Sequence, residues 1–295
     1  MKKIFGLALV LSIALVLGAC GDEETLVMGF VPSQDSEEIA DTVEPLAERL
    51  SEELGVKVEG KVMTNYNALV EGMGSNQVQI GFIPAFGYVL ANQEYDVEVI
   101  LKSIRFGSST YKAQYLVRSD SGIESLEDLE GKVWAYGDKL STSGYLFPAN
   151  ELMEQFGYDS PTALEEEFFG GSVQTGEHTN SAMEVYNGNA DVATTFDDVR
   201  TGLEEDYSDI MDKLSVLDYT AEIPNDTISV TKELDDEMVE KIKEAFLSFN
   251  DDEEMIEIMN EVYNWDAIDE ASDDEYQIVK DTYEKFRDSI SIDDL

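Results

Sequence analysis

Three hydroxyl side chains and a glycine stand together in the segment Ser141–Gly144, where a strand-like run at 133–136 leads into a helix-like run. Hydroxyl groups donate hydrogen bonds, and glycine lets the backbone approach a ligand closely. The first N–H groups and the positive dipole end of a helix attract anions. Pro148 has no N–H group and is expected in the first turn of the following helix or at a kink. The segment predicts an oxyanion site, with an ordinary helix cap as the alternative.

His178 is the only histidine of the chain and stands near the start of another helix-like run. Its imidazole can donate a hydrogen bond to an oxyanion and can carry charge near neutral pH. A structural or surface histidine is the alternative. One histidine and one cysteine do not indicate a zinc site, and the chain has neither a Ser-His-Asp order nor a GxSxG motif typical of hydrolases. We therefore predict no metal, no cofactor and no catalytic residue.

Two tyrosines and three aspartates stand at the ends of predicted elements. Tyr66 opens a helix, and Tyr111 opens a strand. Asp197 and Asp198 follow a buried strand, and Asp226 lies where the chain is expected to cross between lobes. A phenol can donate to a ligand, and a carboxylate can hold an amine or accept a proton from a protonated oxyanion. Half-buried tyrosines and capping or surface acids are the alternatives.

Strand-like and helix-like runs alternate along the chain, and the alternation restarts once. The first strands are predicted at 26–31, 56–62, 79–83, 97–103 and 111–118. A capped helix beginning at Ser125 then opens a second set, and the chain returns near 217–228. This order predicts an α/β fold with mainly parallel sheets in two lobes. A hinged cleft between the lobes would gather the carboxyl ends of strands and the amino ends of helices around one ligand.

The N-terminal segment has the pattern of a bacterial lipoprotein signal. Residues 1–3 are basic, residues 4–16 are apolar, and residues 17–20 read Leu-Gly-Ala-Cys, which resembles a lipobox. Cys20 is the only cysteine, so an intrachain disulfide is impossible and the thiol is expected to carry a lipid. An incidental cysteine in a plain signal peptide is the alternative. We expect an extracytoplasmic protein held at the cell membrane by its lipid.

The length of 295 residues is enough for two lobes with cores of their own. We predict a signal peptide at 1–19, a tether at 20–25, a discontinuous lobe 1 at 26–108 and 222–295, and lobe 2 at 109–221.

Acidic residues outnumber Lys and Arg by 64 to 19, and the formal net charge is -45. Such a charge excludes nucleic acid and anionic lipid headgroups as electrostatic partners. The acidic runs lack the spacing of a calcium loop and are expected to be solvated surface. We interpret the acidity as an adaptation to a salty or alkaline exterior.

The sequence resembles the substrate-binding proteins of ABC importers for phosphonate, phosphite and related phosphorus oxyanions. The resemblance extends from residue 26 to about residue 264 and is strongest at 125–148, which ends in Ser-Thr-Ser-Gly-Tyr-Leu-Phe-Pro. Matching motifs at 66–73, 176–181 and 223–226 follow in the order and spacing of the family.

The resemblance implies a type II periplasmic-binding-protein fold that captures a ligand without chemistry. By motif match the phosphonate oxygens would contact Ser141, Thr142, Ser143, His178 and Tyr66, and the ligand's substituent would lie near Tyr111, Asp226 and one of Asp197 and Asp198. A membrane permease with its ATPase is the implied partner, and a monomer is expected. Another oxyanion or a phosphate ester as ligand, a sensor subunit and an extracellular phosphatase are the alternatives.

Overall fold

The computed structural model describes residues 25–34 and 36–287. The predicted signal peptide, Cys20 and nearly all of the predicted tether lie outside these residues. Within the described part of the chain, no helix is both long and apolar enough to cross a membrane.

The described residues form strands and helices in alternation. The strands are β1 (Thr25–Phe30), β2 (Lys57–Val62), β3 (Ile80–Ile83), β4 (Glu98–Ile104), β5 (Thr110–Arg118), β6 (Val133–Tyr136), β7 (Gly171–Gln174), β8 (Val192–Phe196), β9 (Leu214–Pro224), β10 (Thr227–Val230) and β11 (Ala267–Glu270). The α-helices are α1 (Ser36–Leu54), α2 (Tyr66–Gly74), α3 (Ala85–Tyr95), α4 (Phe147–Phe156), α5 (Pro161–Ala163), α6 (His178–Asn187), α7 (Val199–Leu203), α8 (Ile210–Lys213), α9 (Asp236–Ser248), α10 (Glu253–Tyr263) and α11 (Gln277–Tyr283). Turns of 3₁₀-helix occupy Leu126–Leu129, Phe249–Asp251 and Asp273–Tyr276, and π-helical turns occupy Thr142–Leu146 and Leu164–Phe168.

The strands form two mixed sheets, each with a parallel core. The first sheet has the order β11-β4-β10-β3-β1-β2, in which β1 runs parallel to β2 and β3. The second has the order β7-β6-β8-β5-β9, in which β6 runs parallel to β7 and β8. The other neighbouring strands pair antiparallel.

The sheets are therefore mixed rather than mainly parallel as predicted, and the crossings between lobes explain the difference. Strand β4 leaves the first sheet and its neighbour β10 returns to it, so the two run in opposite directions. In the same way β5 enters the second sheet and its neighbour β9 leaves it. The predicted α/β class and the separate sheet for each lobe agree with the structure.

A tight turn at Arg105–Ser108 forms part of the first crossing. The Arg105 N–H donates to the Ser108 carbonyl and the Ser108 N–H donates to the Arg105 carbonyl, each at 2.9 Å. Phe106 and Gly107 have φ angles of 50° and 72°, the pattern of a type I′ turn. Asn225 in the second crossing donates through Nδ2 to the Ser103 and Ser108 carbonyls at 3.0 and 2.8 Å. The two crossings are thus joined to each other. The predicted boundary at 108/109 lies between β4 and β5, whereas 221/222 lies within β9, and the lobe boundaries stay predictions.

Aromatic side chains form much of the core of each lobe. In the first, Phe82 stacks on Phe30 with ring centroids 4.3 Å apart and on Trp265 at 5.4 Å. In the second, Trp134 on β6 stacks on Tyr145 at 5.3 Å. Since Tyr145 belongs to the π-helical turn Thr142–Leu146, this stacking fixes the turn to the sheet.

Two backbone segments of the second lobe approach each other closely where β6 and β7 begin. The Gly131 N–H donates to the Phe168 carbonyl at 2.7 Å, and the Gly170 N–H donates to the Lys132 carbonyl at 2.8 Å. A Cβ atom on Gly170 would lie 2.3 Å from the Gly131 carbonyl oxygen. Glycine is required at 170 because the two backbones approach so closely.

Candidate functional site

A polar cavity lies between the two lobes. Six of the nine predicted ligand-binding residues line it: Tyr66, Tyr111, Ser141, Ser143, His178 and Asp226. The other lining residues, which the sequence analysis missed, are Ser33, Gln34, Pro84, Arg105, Phe196 and Tyr263. The fold thus brings side chains far apart in sequence to one enclosed space.

Ser141 caps the π-helical turn Thr142–Leu146, which continues directly into α4. Its Oγ accepts a hydrogen bond from the Gly144 N–H at 3.0 Å. Thr194 on β8 donates its hydroxyl to the Gly144 carbonyl at 2.5 Å and so ties the turn to the second sheet. The first N–H groups of a helix have no intrahelical acceptor, so this helix end is suited to an anion. Pro148 lies in the first turn of α4, as predicted.

His178 begins α6 and pairs with Ser141, whose Oγ lies 3.1 Å from His178 Nε2. His178 Nδ1 is buried and has no hydrogen-bond partner among the described residues. A neutral imidazole has one donor and one acceptor nitrogen. If Ser141 donates to Nε2, Nδ1 carries the free proton; if Nε2 donates to Ser141, the hydroxyl proton is free. In either tautomer the pair offers the cavity one donor.

We expect the wild-type protein to lose stability relative to His178→Gln as the pH falls from 7 to 4. Burial, with a smaller contribution from the charge of Arg105, lowers the pKa of His178 to about 3. The folded protein therefore keeps its imidazole neutral while the unfolded chain takes up a proton near pH 6.5. The stability that depends on the neutral form is complete above about pH 6.5 and is lost as the pH falls toward 3.

Denaturant unfolding at each pH measures this difference, which we expect to reach about 2–3 kcal/mol at pH 4. The buried acids are common to both proteins, so the comparison isolates the histidine. Parallel stability curves for the two proteins across this range would contradict a buried, neutral His178.

The two predicted tyrosines approach the cavity from different lobes. Tyr66 begins α2, whose N-terminus is fixed because Asn65 accepts from the Ala68 N–H at 2.8 Å. Tyr111 lies on β5 of the second sheet. Burial raises the pKa of Tyr66, as do the charges of two nearby aspartates, and burial likewise raises the pKa of Tyr111. Both phenols therefore stay protonated at neutral and mildly alkaline pH, and each remains a hydrogen-bond donor.

Asp226 supplies a carboxyl group to the cavity from the second crossing. Burial raises the pKa of Asp226, and the charge of Arg105 opposes this rise. A carboxyl group in this environment takes up a proton more readily than a surface acid. When protonated it donates one hydrogen bond through its hydroxyl and still accepts one at its carbonyl oxygen, and when ionised it only accepts, so it can pair with a protonated oxyanion in either form.

Arg105 is the functional residue that the sequence analysis missed most clearly. It is the only Lys or Arg among the residues that line the cavity, and it is 6% exposed. Its guanidinium carbon lies 5.4 Å from the centre of the Tyr111 ring and 5.0 Å from that of Phe196. An arginine is usually a surface residue, and only its position in the predicted crossing could have identified this one.

The structure places the predicted Asp197 and Asp198 outside the set of cavity-lining residues. Asp198 caps α7, accepts from Gln114 Nε2 at 3.0 Å and forms an ion pair with Arg200 at 2.6 Å. Burial raises the pKa of Asp197, and the charge of Arg105 opposes this rise. Their part in ligand binding stays a prediction. Across the described ranges, no group of three or more His, Cys, Asp or Glu residues could hold a metal ion.

Thr142, the remaining predicted ligand contact, is fully buried and joins the two lobes. Its Oγ1 accepts a hydrogen bond from the Phe86 N–H of α3 at 3.0 Å. A second bond between lobes runs from the His178 N–H to the Ser33 carbonyl at 3.0 Å. The two lobes are thus closed on each other around the cavity. Thr142 as a direct ligand contact stays a prediction.

Comparison with known proteins agrees with this architecture. Residues 28–276 match the family described as "ABC transporter, phosphonate, periplasmic substrate-binding protein". The phosphate-import protein PhnD of Mycolicibacterium smegmatis is 27% identical over 232 residues, which cover 77% of this chain and 72% of that protein. The phosphonates-binding periplasmic protein of Escherichia coli is also 27% identical over 232 residues, which cover 77% of this chain and 67% of that protein.

The fold is shared with solved structures of similar proteins. The structure of PhnD1 from Prochlorococcus marinus in complex with methylphosphonate superposes with a TM-score of 0.79 at 19% identity, over 91% of this chain and 100% of that chain. A binding-protein component of an ABC phosphonate transporter from Pseudomonas aeruginosa also gives a TM-score of 0.79, at 22% identity, over 88% of this chain and 86% of that chain. The predicted two-lobed periplasmic-binding-protein fold is confirmed. The chain belongs to the family of phosphonate substrate-binding proteins of ABC transporters, and it is a binding component rather than an enzyme.

Proposed function

We propose that this protein captures a phosphonate or a related phosphorus oxyanion, such as phosphite, methylphosphonate or an aminoalkylphosphonate, and delivers it to a membrane permease. The observation that carries the proposal is the convergence of neutral donors on one closed cavity. Ser141, Ser143 and His178 come from the second lobe, and Tyr66 comes from the first. A phosphonate presents three oxygens in a fixed pyramid, and hydrogen bonds to charged oxygens are the strong ones.

These donors account for anion binding by a chain with a formal net charge of -45. Hydroxyls, free N–H groups and a helix end act over a few ångströms in a site that is largely removed from bulk water by the two lobes. Most of the acids lie on the surface, where salt screens their charge over about 8 Å at physiological ionic strength. The local donors therefore outweigh the distant charges.

In the proposed cycle the lobes open and close about the two crossings, and the ligand favours the closed form because only that form contacts it from both sides. A lipid on Cys20 would keep the protein, acting as a monomer, at the outer face of the membrane beside the permease and its ATPase. Presentation of the closed form to a receptor, as a sensor subunit, is the alternative use of the same cycle.

Inorganic phosphate is the second candidate ligand, because the similar protein of Mycolicibacterium smegmatis is named a phosphate-import protein. Phosphate differs from a phosphonate by a fourth oxygen in place of carbon or hydrogen. The carboxyl group of Asp226 can accept a hydrogen bond from a protonated fourth oxygen, through either of its oxygens when it is ionised and through its carbonyl oxygen when it is protonated.

Titration calorimetry with methylphosphonate, 2-aminoethylphosphonate, phosphite, phosphate and sulfate tests the proposal. We expect heat of binding from one or more of the three compounds with a P–C or P–H bond, and at least tenfold weaker binding of phosphate and sulfate. Binding of phosphate alone would establish the second candidate, and binding of sulfate alone would contradict both.

A further inference from the structure

Arg105 carries a charge that no described residue pairs with in a salt bridge. Among the described residues Arg105 takes part in no ion pair, and its buried Nε has no hydrogen-bond partner. Arg200 in the second lobe shows the usual arrangement, since its guanidinium makes several hydrogen bonds with Asp198. A guanidinium is always charged, and burial of an unpaired charge is costly. A buried, unpaired guanidinium at a cavity wall therefore favours an anionic ligand.

The surroundings of Arg105 fix its side chain at the cavity. The type I′ turn Arg105–Ser108 holds the backbone, and the guanidinium lies beside the rings of Tyr111 and Phe196. Stacking on aromatic rings leaves the N–H groups at the guanidinium edge free to donate. Arg105 is thus oriented by contacts that do not consume its hydrogen bonds.

Arg105 also stands near the acids that a ligand's amine would need. Its charge is felt by both Asp226 and Asp197 and opposes the effect of burial on each. These carboxylates therefore already face a cation from the protein. A ligand ammonium in the same small cavity would be repelled by Arg105 and would find its counter-charge partly neutralised.

We propose that Arg105 is a further ligand-binding residue, and that its charge makes the site select phosphonates with a small, uncharged substituent over aminoalkylphosphonates. The inference rests on the proposed function and narrows its ligand class. The inference is supported by the Arg105 guanidinium, which is buried, contacts two aromatic rings and forms no ion pair among the described residues.

An isosteric pair of ligands separates charge from size. 2-Aminoethylphosphonate and 2-hydroxyethylphosphonate have the same number of heavy atoms and differ mainly by the ammonium charge. By calorimetry we expect the wild-type protein to bind 2-hydroxyethylphosphonate at least tenfold more tightly, with methylphosphonate as the reference ligand. Equal affinity for the pair, or preference for the amine, would overturn the inference without any variant. If neither these three compounds nor phosphite binds, the proposed function itself fails.

Variants then assign the selectivity to Arg105. Arg105→Gln is expected to lower the affinity for methylphosphonate at least tenfold. It should also bring the ratio of the affinity for 2-hydroxyethylphosphonate to that for 2-aminoethylphosphonate to about one or below. Arg105→Lys keeps the charge and should keep the preference. Arg118→Gln is the matched control, because Arg118 pairs with Asp120 at the surface of the second lobe, and it should leave the ratio unchanged. An equal loss for both ligands in Arg105→Gln, or no loss, would contradict the role of Arg105.

Discussion

Replacement of Ser143 by aspartate is expected to lower the affinity for methylphosphonate about a thousandfold at pH 8. Ser143 lines the cavity at the N-terminal end of the π-helical turn Thr142–Leu146 and is 2% exposed. A carboxylate about 4 Å from the bound anion repels it by about 4 kcal/mol at an effective dielectric constant near 20, which corresponds to about three orders of magnitude in Kd. Titration calorimetry with methylphosphonate measures the loss.

Ser143→Asn is the matched control, since the amide has nearly the same shape without the charge. We expect it to bind within about tenfold of the wild type. Burial will raise the pKa of the introduced carboxyl group, so Ser143→Asp should recover affinity as the pH is lowered from 8 to 5. Equal losses for both variants would show that space rather than charge limits the site, and unchanged affinity in Ser143→Asp would place Ser143 away from the ligand.

Replacement of Gly170 by alanine is expected to destabilise the fold by about 2–4 kcal/mol. The new Cβ atom would lie 2.3 Å from the Gly131 carbonyl oxygen. Both backbones are held by hydrogen bonds, at 2.7 Å to the Phe168 carbonyl and 2.8 Å to the Lys132 carbonyl. No side-chain rotation can relieve the clash, so the backbone where β6 and β7 begin must shift. The free energy of unfolding in denaturant measures the cost.

Gly202→Ala in α7 is the control for this change. A Cβ atom on Gly202 would have no atom within 4 Å, and alanine favours helix over glycine by up to about 1 kcal/mol. We therefore expect Gly202→Ala to be neutral or stabilising. If Gly170→Ala unfolds at the same denaturant concentration as Gly202→Ala, the close backbone approach does not constrain the second lobe.

The part of the site that the sequence could predict is the part made by local structure. Ser141 to Gly144 lie at a helix start, and a helix start has free N–H groups whatever the tertiary fold. His178 and Tyr66 were likewise predicted at helix N-termini, and α6 and α2 begin at these residues. Local patterns of this kind survive folding because hydrogen bonding within a few residues determines them.

The part that the sequence could not predict depends on how distant segments meet. Arg105 reaches the cavity only because a type I′ turn and two aromatic rings from other elements hold it inward. Thr142 has the same chemistry as its neighbours, yet its hydroxyl oxygen accepts a hydrogen bond from the Phe86 N–H of the other lobe. The mixed sheets follow from crossings whose strand neighbours are not adjacent in sequence. Hydrophobic periodicity carries no information on such pairings.

The hydrogen bond between Thr142 and Phe86 joins the two lobes through protein atoms alone. In the proposed cycle, every such bond raises the fraction of molecules that are already closed, and apparent affinity scales with that fraction. The lowest ligand concentration at which the protein is occupied then depends partly on contacts between the two lobes. Evolution can adjust that threshold at the lobe-to-lobe contacts while the ligand contacts, and with them the choice of nutrient, stay the same.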